Sequence, residues 1–503
     1  MSLTQSIDYA AISPPLAIVI TAVVVLLADL FVPATMRRTL LAALALAGSL
    51  GALGLTAWLA TGSTRSTFCL AGGGCSYVAD DFATYFQIVV LAALVVVLLL
   101  SVPLFEERER VPSGEFLALL LMSVSGMLVV AAGRDLLTLL IGLEVVSLPA
   151  FVLVGLRHGD PRGIEAALKF FIFSVISTAL TVYGIALIYG TTGSIELHHI
   201  ADALALRHGR PGSLAAVGAA GVVLVVVGFG FKVAAVPFHF WAPDTYQGAP
   251  VPVAAFLSVA SKAAGFAGLI VLLVVGFRPY ADVWGPAVAV LAAVSMTVGN
   301  LVALRQRHVV RLLAWSTVAH AGYLLVPLAV ASSQLDDGVH ATLAYLGIYA
   351  AMNLGAFGCV VLVRRMHPRL AIEDLRGLIT RAPLTAVLFA FFLTALAGLP
   401  PGVAGLFAKV VVLRAAVHGH VTWLAVVAAV NTVIGLAYYL RVAAVMFAPA
   451  AEDDDVTPVP VPAQRSWSVS AGVAVAAAVT VLLSVYPQPL LHLASLAIAH
   501  QFA

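Results

Sequence analysis

Fourteen apolar stretches follow one another along the chain, each close to the roughly 20 residues that carry a helix across a bilayer. Nothing else in the sequence constrains the fold as much. In hydrocarbon every backbone amide and carbonyl must be satisfied within the protein, so such stretches become helices rather than isolated strands. Their centres fall near residues 22, 50, 93, 123, 146, 178, 225, 262, 294, 321, 351, 395, 434 and 477. The expected fold class is an all-α integral membrane protein. Of 503 residues 62% are hydrophobic and only 10% charged, too few charges to cover a soluble surface of that size. The near-neutral net charge of +2 argues against nucleic acid as a partner. The start, "MSLTQSIDYAAISPP", has neither a basic n-region nor a small-residue cleavage site, so the first stretch reads as a retained span.

Orientation follows from the arginines. Sixteen of the twenty-two lie in loops after odd-numbered spans and five in loops after even-numbered ones. Basic loops stay in the cytoplasm, which places both termini outside. The three cysteines form no metal or iron–sulfur spacing. Cys69 and Cys75 flank "LAGGG" and either close a disulfide, if that loop faces outward, or stand as two thiols. No P-loop and no dinucleotide fingerprint is present, so the chain shows no nucleotide site.

The four lysines are placed differently from the arginines. Lys169, Lys232, Lys262 and Lys409 all fall within apolar segments. A charge at the centre of a span costs about 2.5–3.5 kcal/mol. A buried lysine can release its proton, whereas arginine stays charged under nearly all conditions. The pattern suits a titratable amine. Glu144, in "LLTLLIGLEVVSLPAFVLVGL", is the acid deepest in a span and the expected partner of Lys232. The plainer reading is an ion pair that only fixes helix packing. Lys262, in "FLSVASKAAGF", has small neighbours that leave room for water and is too deep to snorkel. His320, in "WSTVAHAGYLL", and His239 are candidate relays, since imidazole both accepts and donates a proton near neutral pH. A hydrogen-bonded structural histidine is the alternative for each. Lys169 stands four residues after Glu165, where a helix-surface pair accounts for it equally well. Asp29 and Arg414 read as interfacial.

Two spans carry helix breakers near their middles. Pro237 and Pro243 interrupt the span of Lys232; Pro400, Pro401 and Gly402 interrupt that of Lys409. Broken backbone at membrane depth is tolerated where it is buried in protein or lines a wet cavity. Two such spans, five apart, divide the chain. An N-terminal region (1–110) precedes two five-span repeats (115–276 and 285–447), an acidic proline-rich connector (451–466) and a last span within 467–503.

The segment "FKVAAVPFHFWAPDTYQGAPVPVAAFLSVASKAAGFA" closely resembles the signature of the antiporter-like membrane subunits of respiratory complex I, the proton-pumping NADH:quinone oxidoreductase. "GLEVVSLPAFVLVGL", "EAALKFFIFSVISTALTVYGIALIYGTTGS", "RQRHVVRLLAWSTVAHAGYLL" and "LAGLPPGVAGLFAK" match that family in order, over about residues 80 to 450. The resemblance implies fourteen helices, with inverted five-helix repeats and discontinuous helices 7 and 12. It implies a glutamate–lysine pair at Glu144 and Lys232, a central lysine at Lys262, a lysine toward the outer exit at Lys409, and a histidine at His320. Departures are mild: Phe170 and Trp315 replace expected tyrosines, and Gln247 stands where glutamate is common. The family implies a multi-pass subunit of the bacterial cell membrane, in a hetero-oligomer with other membrane subunits. No cofactor is expected in this chain; NADH, FMN, iron–sulfur clusters and quinone belong to its partners. A subunit of a multisubunit sodium/proton (Mrp-type) antiporter is the rival, because it shares the fold and most of the motif.

Overall fold

The computed structural model describes residues 6–69, 73–106, 111–208, 213–330, 334–449 and 466–499. All but the last residue of the expected connector, 451–466, lies outside them. The chain opens with α1 (Ser13–Phe31) and α2 (Ala34–Leu59), hinged at Pro33. An antiparallel ribbon of β1 (Arg65–Cys69) and β2 (Cys75–Ala79) follows. Cys69 faces Cys75 in its register, and a disulfide joins them. Then come the long rods α3 (Asp81–Ser101), α4 (Ser113–Ala132), α5 (Leu136–Gly155) and α6 (Pro161–Thr192).

A short amphipathic helix, α7 (Leu197–Ala205), leads to α8 (Ser213–Lys232) and the brief α9 (Trp241–Gly248). The next span is composite. It holds α10 (Val251–Phe256), a π-helical turn at Leu257–Ser261, α11 (Lys262–Val271) and a second π turn at Leu272–Gly276. The rest is α12 (Ala281–Ala303), α13 (Val309–Leu325), α14 (Leu335–Met366), the single turn α15 (Leu378–Arg381), α16 (Pro383–Ala397), α17 (Ala404–His418), α18 (Thr422–Phe447), α19 (Trp467–Val485) and α20 (Gln488–Ala499).

Thirteen helices among the described residues are long and apolar enough to cross a membrane. The remaining span expected near residue 395 is divided between α16 and α17, each too short alone. The last expected span also differs. Tyr486 precedes Pro487, where an α conformation is disfavoured, so α19 stops and α20 restarts. α20 then lies against α14, where Leu490 meets Gly347 and Leu491 accepts from His340 at 3.2 Å.

Several helix starts are capped by acids. Asp80 accepts from the Ala83 amide, Asp135 from Thr138 and Asp160 from Arg162 and Gly163. Asp80 also holds Arg134 in a buried ion pair at 2.5 Å, while the Arg134 amide donates to Ser76. These contacts tie the ribbon to the bundle at one end. The other end gathers Arg157, Arg162, Arg311, Arg364 and Arg369 and is the basic end.

Between helices, small residues let backbones approach. A Cβ on Gly126 of α4 would come within 2.8 Å of the Gly142 carbonyl of α5. One on Gly299 of α12 would come within 2.6 Å of the Ala319 amide of α13. Without a hydrophobic drive between helices in lipid, such close fits supply the association.

Candidate proton-conducting core

The first break lies where α8 ends. Residues 233–240 leave the helix around Pro237, and their freed backbone groups are taken up by side chains. The Val236 amide donates to Ser295 Oγ at 2.8 Å, and Trp241 Nε1 donates to the Phe231 carbonyl at 3.0 Å. Pro243 does not break anything, contrary to expectation. It sits in the first turn of α9, where a missing N–H costs little. Ending α8 at Lys232 leaves that amine between α5 and α6, donating to Ser147 Oγ at 2.6 Å and Ser174 Oγ at 3.2 Å.

Glu144 is not in ionic contact with Lys232. Its Oε1 accepts from Thr178 Oγ1 at 2.7 Å, and among the described residues no carboxylate pairs with Lys232. Helical spacing explains this. Leu137, Ile141, Glu144 and Leu148 share one stripe of α5, whose leucines and isoleucine face outward, whereas Ser147 points inward. The two groups thus make no ion pair and bond different hydroxyls, though Glu144 still acts on Lys232 electrostatically at longer range.

Lys262 follows directly on the π turn and is 1% exposed. A π turn widens the helix locally and re-aims the side chain after it. The Lys262 ammonium donates to the Thr317 carbonyl of α13 at 2.5 Å and lies 5.7 Å from the Tyr349 ring centre. Gly265, one turn further, lies against Lys232, where an added Cβ would come within 3.3 Å of that residue's own Cβ. Lys232 thus packs one turn away from Lys262 at the α8–α11 contact, while the two amines bond different helices. From Lys262 the polar core continues through Tyr349, whose hydroxyl is hydrogen-bonded to Thr317 Oγ1 at 3.2 Å.

His320 comes next, its ring centre 5.0 Å from that of Tyr349. Both ring nitrogens are bonded, Nδ1 to the Tyr345 hydroxyl at 2.8 Å and Nε2 to the Tyr439 hydroxyl at 3.1 Å. Tyr439 also bonds Ser316. Tyr345 stacks on Tyr323 at 6.1 Å, and Lys409 lies 5.5 Å from the Tyr323 ring centre. Lys409 is buried at the second break, residues 398–403, and donates to the Ala397 carbonyl at 2.7 Å. That carbonyl ends α16 and has no partner within the helix.

The accessory candidates lie apart. Lys169 is 44% exposed at the basic end, where it bridges Glu165 at 2.6 Å and Asp244 at 3.3 Å. Asp244 also accepts from Arg311 at 2.7 Å, and Gln247 accepts from the same guanidinium at 2.9 Å. An amide oxygen therefore serves where the resemblance implied a carboxylate. His239 is buried in the first break against Trp315, with ring centres 5.0 Å apart. Phe170 stacks on Trp241 at 4.5 Å.

The hydroxyls are less conspicuous in the sequence than the buried charges. Tyr345 and Tyr349 stand at i, i+4 on α14, and Ser316 and His320 do so on α13. That spacing puts each pair on one helix face, a signal that was present in the spans.

Buried lysines on two broken helices, joined by hydroxyls and an imidazole, define a class: membrane subunits built on the antiporter fold. The sequence profile described as NADH:quinone oxidoreductase/Mrp antiporter, TM, matches residues 133–435. Subunit N 2 of NADH-quinone oxidoreductase from Streptomyces griseus subsp. griseus is 51% identical over 453 residues, 89% of this chain and 84% of that one. A chain of respiratory complex I from Thermus thermophilus superposes with a TM-score of 0.76 at 32% identity, covering 96% of this chain and 99% of its own. A chain of the Mrp complex from a Dietzia species gives 0.80 at 21% identity over 97% of each chain, a likeness of fold alone. The chain belongs to the NADH:quinone oxidoreductase/Mrp antiporter family, and within it to the subunit N group of NADH-quinone oxidoreductase.

Proposed function

We propose that this chain translocates protons across the membrane as a subunit of NADH-quinone oxidoreductase, driven by quinone reduction in a neighbouring subunit. The observation that carries the reading is the row of close neighbours Lys262, Tyr349, His320, Tyr345, Tyr323 and Lys409 through the buried middle of the bundle, in which His320 and Tyr345 are hydrogen-bonded and the others meet ring to ring or amine to ring. Its ends are amines that can exist in two charge states, and its links are groups that both give and accept protons. Lys232, bonded to Ser147 and Ser174, and Glu144, bonded to Thr178, extend the polar core toward α5 and α6. In this reading a proton reaches Lys232 or Lys262 from the cytoplasm, crosses to Lys409 and leaves outside. The arginine asymmetry supports a cytoplasmic basic end and termini on the outer side.

Moving one charge outward against 100 mV costs about 2.3 kcal/mol, so redox chemistry elsewhere must supply the work. NADH, FMN, iron–sulfur clusters and quinone are assigned to partner subunits. The breaks at 233–240 and 398–403, five spans apart, support two repeats over 115–276 and 285–447, related as an inverted pair. The Mrp-type alternative rests on shared fold. The 51% and 32% identities accompany oxidoreductase chains, and they favour the first reading.

The test uses inverted membrane vesicles containing the assembled complex. Lys232→Ala and Lys262→Ala are expected to lower NADH-driven proton uptake and quinone reduction together. Unchanged protons per quinone reduced, at unchanged turnover, would sink the proposal; unchanged turnover with new sensitivity of the cells to sodium would favour the Mrp-type role.

A further inference from the structure

At the basic end a cavity of about 600 Å³ opens among Arg162, Glu165, Lys169, Asp244 and His308. Its mouth is charged, and Glu165 is 65% exposed there. Its inner wall includes Tyr246 and residues 248–251, the turn between α9 and α10. Behind that wall the protein is closed to solvent, yet several polar atoms there lack partners. The Tyr246 hydroxyl, Thr245 Oγ1 and Asn353 Oδ1 are all buried and make no hydrogen bond. Buried polar atoms are otherwise almost always satisfied, and internal water supplies what protein groups do not.

The three atoms belong to one region. The Tyr246 ring packs edge-on against Phe357 with centres 6.3 Å apart, and Phe357 is one turn from Asn353 on α14. Asn353 Nδ2 donates to Ser258 Oγ at 2.7 Å, inside the π turn that precedes Lys262. The Ser258 carbonyl accepts from Tyr349 at 3.1 Å, and Tyr349 is the group beneath Lys262. A polar thread thus runs from the cavity wall to the central lysine. It has a gap between Tyr246 and Asn353, which share no hydrogen bond and each present an unpartnered oxygen.

We propose that water bridges this gap and that Tyr246 and Asn353 are positioning residues of the proton uptake path into Lys262. The inference rests on the proton-translocating reading above. Tyr246 orients water at the cavity wall, and Asn353 holds it against Ser258. The ionised cluster at the mouth keeps the outer cavity wet. No bond is made or broken along the path except as protons pass between water molecules and side chains.

Accessibility and coupling are measured together on the assembled complex in inverted vesicles, where the basic end faces the medium. Ser258→Cys is expected to react with a small hydrophilic methanethiosulfonate reagent at least ten times faster than Val259→Cys, its equally buried apolar neighbour. The parent chain, with buried Cys359, sets the background. Tyr246→Phe and Asn353→Leu are expected to slow proton uptake and coupled quinone reduction at least threefold at unchanged subunit content. Asn353→Asp, which keeps an oxygen at that place, is expected to restore most of the rate. A larger solvent isotope effect in Tyr246→Phe would mark a proton-transfer defect and not a packing defect. Equal labelling of the two cysteines would overturn the hydrated passage. Labelling with normal rates in both Tyr246→Phe and Asn353→Leu would overturn its role in uptake. If Lys262→Ala also pumps normally, the functional reading falls while the passage remains wet, so the two failures are told apart.

Discussion

The ammonium of Lys409 donates at 2.7 Å to the carbonyl of Ala397, the residue that ends α16 just ahead of the break. One side chain thus satisfies an orphaned backbone group and stands at the end of the buried polar run. In the proposed proton-translocating role, structure and conduction would depend on the same amine.

Substitutions at Lys409 should separate the two roles. Lys409→Met leaves the Ala397 carbonyl unbonded and is expected to cost about 1–3 kcal/mol of stability, read as a lower unfolding temperature of the purified complex. Lys409→Arg can keep a donor there but cannot release a proton, so assembly should be near normal while quinone-coupled proton uptake falls roughly tenfold or more. Normal pumping by Lys409→Arg would show that the amine need not titrate.

Because Glu144 and Lys232 interact at longer range than an ion pair, their direct coupling should be small. A double-mutant cycle with Glu144→Gln and Lys232→Met is expected to give a stability coupling below about 1 kcal/mol, against the larger values typical of broken buried ion pairs. A coupling of several times that size would mean that the two groups meet as a pair.

His320 is held from both sides, by Tyr345 and by Tyr439. Tyr345→Phe or Tyr439→Phe should each cost about 1 kcal/mol of stability by leaving one ring nitrogen unpaired. Proton uptake should fall in each. The double variant should lose much more than the product of the single effects, because the imidazole is then free to turn. Strictly multiplicative losses would argue that the tyrosines act independently of His320.

At the opposite end, the buried Arg134–Asp80 pair anchors the disulfide ribbon. Arg134→Met alone should lower stability by about 3–5 kcal/mol, since it strands a buried carboxylate. Asp80→Leu added to it should recover part of the loss, though not the cap that Asp80 gives α3. Thermal unfolding in detergent measures both, and no recovery in the double variant would count against a desolvation origin.

The membrane class, the span positions and the identity of the buried amines were legible in the sequence because hydropathy acts locally. A run of about 20 apolar residues is committed to a helix whatever its neighbours do, and a lysine inside such a run is conspicuous at once. The two breaks were legible too, although Pro243 was mistaken for one. Its tolerance depends on falling in the first turn of α9, a register that hydropathy does not reveal.

What the chain alone could not disclose is which groups face one another. Glu144 and Lys232 are both charged and both deep, so pairing them was the natural expectation. The rotation of α5 turns Glu144 toward Thr178 and gives Ser147 to Lys232. Likewise the partners of His320 come from α14 and α18, 25 and 119 residues away in sequence. Sequence determined that this chain lies in the bilayer with titratable amines at its core, because burial of apolar surface is additive along the chain. Tertiary structure decided how those amines are connected, because a hydrogen bond depends on the distance and angle between side chains carried by separate helices.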